Sequence, residues 1–346
     1  MTLTGFVLLY IAATIAIGVI AATRVKNTSD FALAGRSLPL PMVITATFAT
    51  WFGSETILGL PGRFIESGIA GVIEEPFGSG MALILVGTFF AHKLYKQNIL
   101  TLGDYYRDRY GRSVELLCSV AIVISYLGWV GAQVTALGLV INLITEGAVS
   151  MTTGMVIGAA VVLAYTMVGG MWSVAMTDFV QMIVIVVGLV AILWFATDLA
   201  GGMDKVVDYA RGRDLFHAFP EPTTTGWLFW ISAAMTMMIG SIPQQDVFQR
   251  VMSAKNLPTA VAGPILGGSF YILFAFVPMF IVVAAILVMP DAAEKMLSED
   301  PQQLLPTLVR DYMPMWLRVV FFGAVLSAVM STASATMLAP STILSL

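Results

Sequence analysis

The sequence predicts an all-α polytopic membrane protein, a helical bundle with about nine transmembrane helices. Three observations carry this. Apolar residues make up 58% of the 346 positions and charged residues 11%, where an ordinary soluble domain carries about 25% charged. Nine stretches are long and apolar enough to cross a lipid bilayer, which takes about 20 residues as a helix. Only Glu55, Glu74 and Glu75 place a charge inside those stretches. A charge near mid-bilayer costs about 3 kcal/mol, so these carboxyls are the first candidates for function.

The spans follow in order. The first, 3–23, lacks a basic leader region and a small-residue cleavage site, so it reads as a retained helix. The second, 40–60, holds Gly53, Ser54, Glu55 and Thr56 at its middle, where a stable apolar helix would prefer Leu or Ile. Irregular backbone at membrane depth is tolerated only against protein or a water-filled cavity, and carriers use such breaks to present carbonyls to cations. Close helix packing at Gly53 and Ser54 is the plainer alternative. The third span, 71–91, carries Glu74-Glu75-Pro76, where one glutamate can instead cap a helix start. Spans four to six, 116–145, 151–176 and 179–197, run uninterrupted. The seventh, 224–243, weakens at Met238-Ile239-Gly240-Ser241-Ile242-Pro243, since proline removes a helix donor. The eighth is 258–290. The ninth, 319–339, ends in Ser327, Ser331, Thr332, Ser334 and Thr336. Those hydroxyls are hard donors suited to sodium, or they bond their own helix carbonyls.

Two discontinuous helices several spans apart point to inverted repeats around a central site. Lys and Arg gather in the loops after spans one, three and seven, the last holding Arg250 and Lys255. That side reads as cytoplasmic and the N-terminus as outside. The loops 198–223 and 291–317 then lie outside, along the membrane surface. The net charge of -4 offers no basic face for nucleic acid, and Cys118, the single cysteine, excludes an internal disulfide. Cys118 reads as a small buried apolar residue. No phosphate-binding loop or nucleophile–base pair is evident, so an enzyme is not expected.

Five passages carry a family resemblance: Asp30-Phe-Ala-Leu-Ala-Gly-Arg-Ser-Leu-Pro39; Gly59-Leu-Pro-Gly62; Thr101-Leu-Gly-Asp-Tyr-Tyr-Arg-Asp-Arg-Tyr-Gly111; Gly169-Gly-Met-Trp-Ser-Val-Ala-Met-Thr-Asp178 with Gln181; and Gln249-Arg250 with Ala254-Lys255. In that order, and across the whole chain, they resemble the sodium:solute symporter family of sodium/proline, sodium/sugar and sodium/pantothenate carriers. The resemblance implies a leucine-transporter-type fold of two inverted five-helix repeats. It implies Na+ as the coupling ion, held by the carbonyls of Ala49, Phe52 and Ala328 and the hydroxyls of Ser331 and Thr332, a formally neutral site. Asp178 matches an acid near the family's ion exit; capping the start of the sixth span is its alternative role. Glu55, Thr56 and Glu75 match positions that touch sugar in sugar-carrying members, and with Gly240 and Ser241 at the second break they are the substrate-binding residues expected. The solute expected is a small amino acid, polyol, sugar or amine. No basic partner is expected within the spans.

Residues 1–39 form an extra helix and cytoplasmic loop, 40–200 the first repeat, and 201–346 three helices of the second. The resemblance therefore implies a C-terminally truncated carrier of a bacterial inner membrane. The competing expectation is a transporter-like sensory input module of a longer signalling protein, such as a histidine kinase.

Overall fold

The computed structural model describes residues 3–344. The chain runs through α1 (Leu3–Ala22), α2 (Thr28–Leu33), α3 (Leu40–Trp51), α4 (Leu60–Ser67), α5 (Ser79–Leu85), α6 (Ala91–Tyr95), α7 (Leu102–Tyr110), α8 (Arg112–Ile144), α9 (Met151–Leu199), α10 (Met203–Gly212), α11 (Thr224–Gly240), α12 (Gln245–Ser253), α13 (Leu257–Phe274), α14 (Phe276–Val288), α15 (Pro290–Glu299), α16 (Leu304–Tyr312) and α17 (Met315–Leu344). Among the described residues, six helical segments are long and apolar enough to cross a membrane, or seven if the bent pair α11–α12 counts as one.

Capping chemistry sets several starts. Asn27 accepts from Asp30 N (2.8 Å) at α2, and Asn256 accepts from Thr259 N (3.0 Å) at α13. Thr101 and Asp104 form a reciprocal capping box at α7. That explains the Thr-Leu-Gly-Asp passage without invoking function.

α9 has 49 residues, about 74 Å if straight, more than twice the roughly 30 Å hydrocarbon core. It turns at Gly170, with φ 49° and ψ −138°. That conformation is glycine's, and an added Cβ would fall 2.4 Å from Phe31 O. The boundary between spans five and six therefore lies at Gly170, not at 177–178. This corrects the capping role for Asp178, which sits two helical turns past the new start.

α17 is the most enclosed long helix, with 83% of its apolar window buried, whereas that of α8 is 6% buried. Even so, α8 turns a stripe inward: Tyr126, Gln133, Ala136, Leu137, Val140 and Ile144 are buried, at helical spacing. Cys118 on α8 is only half-buried. The polar stretches 198–223 and 291–317 fold into α10, α15 and α16; Leu304–Val309 of α16 are buried, and Pro301 packs on Gly62 so closely that a Cβ there would lie 2.6 Å away.

Candidate functional site between two broken helices

α3 ends at Phe52, whose φ of −86° and ψ of 68° leave the helix; wide turns over Glu55–Gly59 lead into α4. Thr56 Oγ1 returns a bond to Trp51 O (3.3 Å) across the gap. The second break lies between α11 and α12, bent by 45°.

At the first break, α17 faces α3 and α9 with its hydroxyls. Ser334 and Thr336 bond back to Ser331 O (2.8 Å) and Thr332 O (2.9 Å), the self-satisfying arrangement. Ser331 and Thr332 do otherwise. Thr332 Oγ1 donates to Ala49 O at 3.2 Å, and Ser331 Oγ to Asp178 Oδ1 at 2.5 Å. Ala49, Phe52, Asp178, Ala328, Ser331 and Thr332 are all fully buried. Asp178 Oδ2 has no hydrogen-bond partner. A buried carboxyl with an open oxygen beside hydroxyls and the Ala49 carbonyl is a donor set for a hard cation, and Asp178 is in direct contact with Ser331. Gly53 keeps this corner open: a Cβ there would lie 2.8 Å from Thr332 Oγ1.

Beside it lies a cavity of about 260 Å3 lined by Trp51, Glu55, Glu75, Ser125, Trp129, Met237 and Gln244. The rings of Trp51 and Trp129 are 5.5 Å apart. Gln133 Nε2 donates to both oxygens of Glu55 (2.7 and 2.8 Å), fixing that carboxyl. Glu75 Oε1 accepts from Thr56 Oγ1 (2.8 Å) and Tyr271 Oη (2.6 Å), and Oε2 takes neither bond. A larger cavity of about 500 Å3 reaches Glu55 from the other side, past Ser54, Arg63, Thr135, Asp300 and Gln303.

The structure thus brings Glu55 and Glu75 to one cavity and puts Thr56 behind Glu75. At the second break, Met237 and Gln244 line the cavity, whereas Gly240 is exposed with open space about it and Ser241 is buried against Met237. Trp51, Trp129, Gln133 and Tyr271 were not singled out from sequence; tryptophans inside apolar spans carry no signal that separates cavity wall from core. Arg250 is the other departure. It is buried at 1% exposure on α12, so a base does lie among the spans.

Two indole rings and two carboxyls thus line one half-open cavity next to an oxygen-rich corner at a helix break. A solved structure described as the substrate-bound outward-open state of a Na+-coupled sialic acid symporter matches with a TM-score of 0.85 over 99% of this chain and 72% of that one, at 18% identity. The architecture is the leucine-transporter type. The sodium:solute symporter family profile matches residues 31–346, and the chain belongs to that family. Similar proteins are the human high affinity choline transporter 1, 29% identical over 94% of this chain and 58% of that one, and its Caenorhabditis elegans counterpart, 28% identical over 90% and 54%. Sodium/glucose cotransporter 4 of Danio rerio is 26% identical over 94% and 54%. The chain spans a little over half the length of these relatives. Family and relatives are transporters, not enzymes.

Proposed function

We propose that the whole protein is a sodium-coupled symporter importing a small organic cation, a quaternary or tertiary ammonium, by alternating access. The observation that carries this is one cavity lined by the neighbouring rings of Trp51 and Trp129, 5.5 Å apart, with Glu55 and Glu75 in the same wall. An ammonium over an indole face gains about 0.5–2 kcal/mol, more when desolvated, and a carboxylate supplies the counter-charge. The choline-named relatives support the same class.

In this reading Na+ is held by the carbonyls of Ala49, Phe52 and Ala328 and the hydroxyls of Ser331 and Thr332, with Asp178 as the adjoining charge through which the ion leaves. Glu55 and Glu75 face the solute, Thr56 orients Glu75, and the backbone at Gly240 and Ser241 is the hinge of the second break. The chain crosses the membrane nine times, if α3–α4 is one crossing and α9 is two. The basic loops are cytoplasmic and the N-terminus outside. Residues 40–200 form the first repeat, 201–346 belong to the second, and 1–39 precede both.

The test is choline binding to purified protein, read by quenching of tryptophan fluorescence with and without sodium. Sodium-dependent quenching that Trp129→Ala removes is expected; quenching by galactose but not by choline would move the reading to a sugar carrier.

A further inference from the structure

α12 is buried along its whole length although it carries Gln245, Asp246, Gln249 and Arg250. Buried polar groups demand partners, and these reach out to four other parts of the chain. Leu102 N donates to Gln245 Oε1 (3.0 Å), while Gln249 Nε2 donates to Ala32 O (3.2 Å) and Thr342 Oγ1 (3.1 Å). Where α12 ends, Leu38 N donates to Ser253 O (3.0 Å) and Lys255 N to Leu38 O (2.9 Å). α12 is therefore held against the segments that follow the first and third spans and against the end of α17.

Its first turn is tied to the cavity. The Tyr126 hydroxyl donates to Asp246 Oδ1 and accepts from Asp246 N (3.0 Å). The Tyr126 ring stacks on Trp129, with centroids 6.0 Å apart and planes at 24°. Trp129 in turn lines the cavity and touches Trp51, ring centroids 5.5 Å apart. A movement of Trp129 is thus passed by ring contact to the group that holds α12.

The same aspartate has a second partner within reach. Asp246 Oδ2 makes no hydrogen bond. Arg250 follows four residues later, on the same helix face. Its Nη1 bonds Asp246 O (3.1 Å), while Nε and Nη2 have no partner. Both residues are at most 1% exposed. The buried carboxyl and guanidinium therefore each keep unused hydrogen-bonding atoms one helical turn apart.

We propose that Tyr126 and Asp246 form a solute-operated latch on α12, with Arg250 as the alternative partner of Asp246; the solute half of this rests on the cavity reading above. Solute held against Trp129 shifts the stack and withdraws the Tyr126 hydroxyl. Asp246 turns to Arg250, α12 loses its tie to α8, and the basic-loop side opens. Tyr126, Asp246 and Arg250 are positioning residues, and none of them lines the cavity.

The test uses the whole protein in liposomes, with Cys118→Ser and a reporter Ser253→Cys at a position buried on α12, labelled by a membrane-impermeant maleimide. Tyr126→Phe keeps the ring and its stacking but loses the hydroxyl. Without solute it is expected to label about tenfold faster than its parent, the shift that follows loss of one hydrogen bond to a charged group. Arg250→Gln removes the alternative partner and is expected to label no faster than the parent even with sodium and choline present. Equal solute-free rates for Tyr126→Phe and parent overturn the latch, whatever solute does. Choline binding to the parent tests the cavity reading separately: its absence, with fast labelling of Tyr126→Phe, keeps the latch and discards the solute assignment.

Discussion

Gly53→Ala probes the ion corner with a single methyl. The added Cβ would lie 2.8 Å from Thr332 Oγ1, 3.1 Å from Thr332 Cγ2 and 3.1 Å from Glu55 Oε2. The threonine must turn, since it is fully buried where α17 meets α3. Forcing a side chain about 30° off its rotamer costs about 0.5–1.5 kcal/mol, and breaking the Thr332–Ala49 bond (3.2 Å) costs about 0.5–1.5 kcal/mol more. If Thr332 is an ion ligand, the sum of about 1–3 kcal/mol falls on sodium binding, a five- to hundredfold weakening at about 1.4 kcal/mol per decade. The assay is a sodium titration of tryptophan fluorescence in the purified protein, with thermal stability measured alongside. A folded Gly53→Ala variant whose sodium dissociation constant stays within about twofold of the parent would refute the reasoning.

Further outcomes follow from the same geometry. Ser331→Ala with Thr332→Ala is expected to raise the sodium concentration for half-maximal uptake several-fold, measured as solute uptake into proteoliposomes. Trp129→Ala is expected to weaken choline binding about tenfold, in line with one desolvated cation–π contact, while sodium affinity measured without solute changes little. Glu75→Gln is expected to alter discrimination between choline and an uncharged polyol more than it alters sodium dependence, read by competition for uptake. Gly170→Ala is expected to lower yield and melting temperature sharply, because the residue is held at φ 49° with Phe31 O 2.4 Å from the added carbon; a thermal shift assay in detergent checks it.

Much of this was legible in the chain. The first break was readable because Gly53, Ser54 and Glu55 stand where an apolar helix tolerates none of them. Ser331 and Thr332 were readable only together with the family resemblance, since five hydroxyls on one helix look alike until partners are known; the structure separates them by whether they bond back or across. The start of the sixth span is not legible from the apolar runs, because the turn is set by the Gly170 conformation, which leaves no mark on hydropathy. Arg250 read as a loop cation because arginine rarely lies buried. Gln133 and Tyr271 went unnoticed because each meets its glutamate across a long stretch of sequence, 78 and 196 residues, and no local pattern reports that.

The most direct measurement is uptake of labelled choline into proteoliposomes holding the whole protein, with and without an inward sodium gradient. Accumulation that needs the gradient, and collapses when sodium is equal on both sides, is the expected result. Choline entry at the same rate without a sodium gradient, or gradient-driven entry of an uncharged polyol with none of choline, would contradict the account.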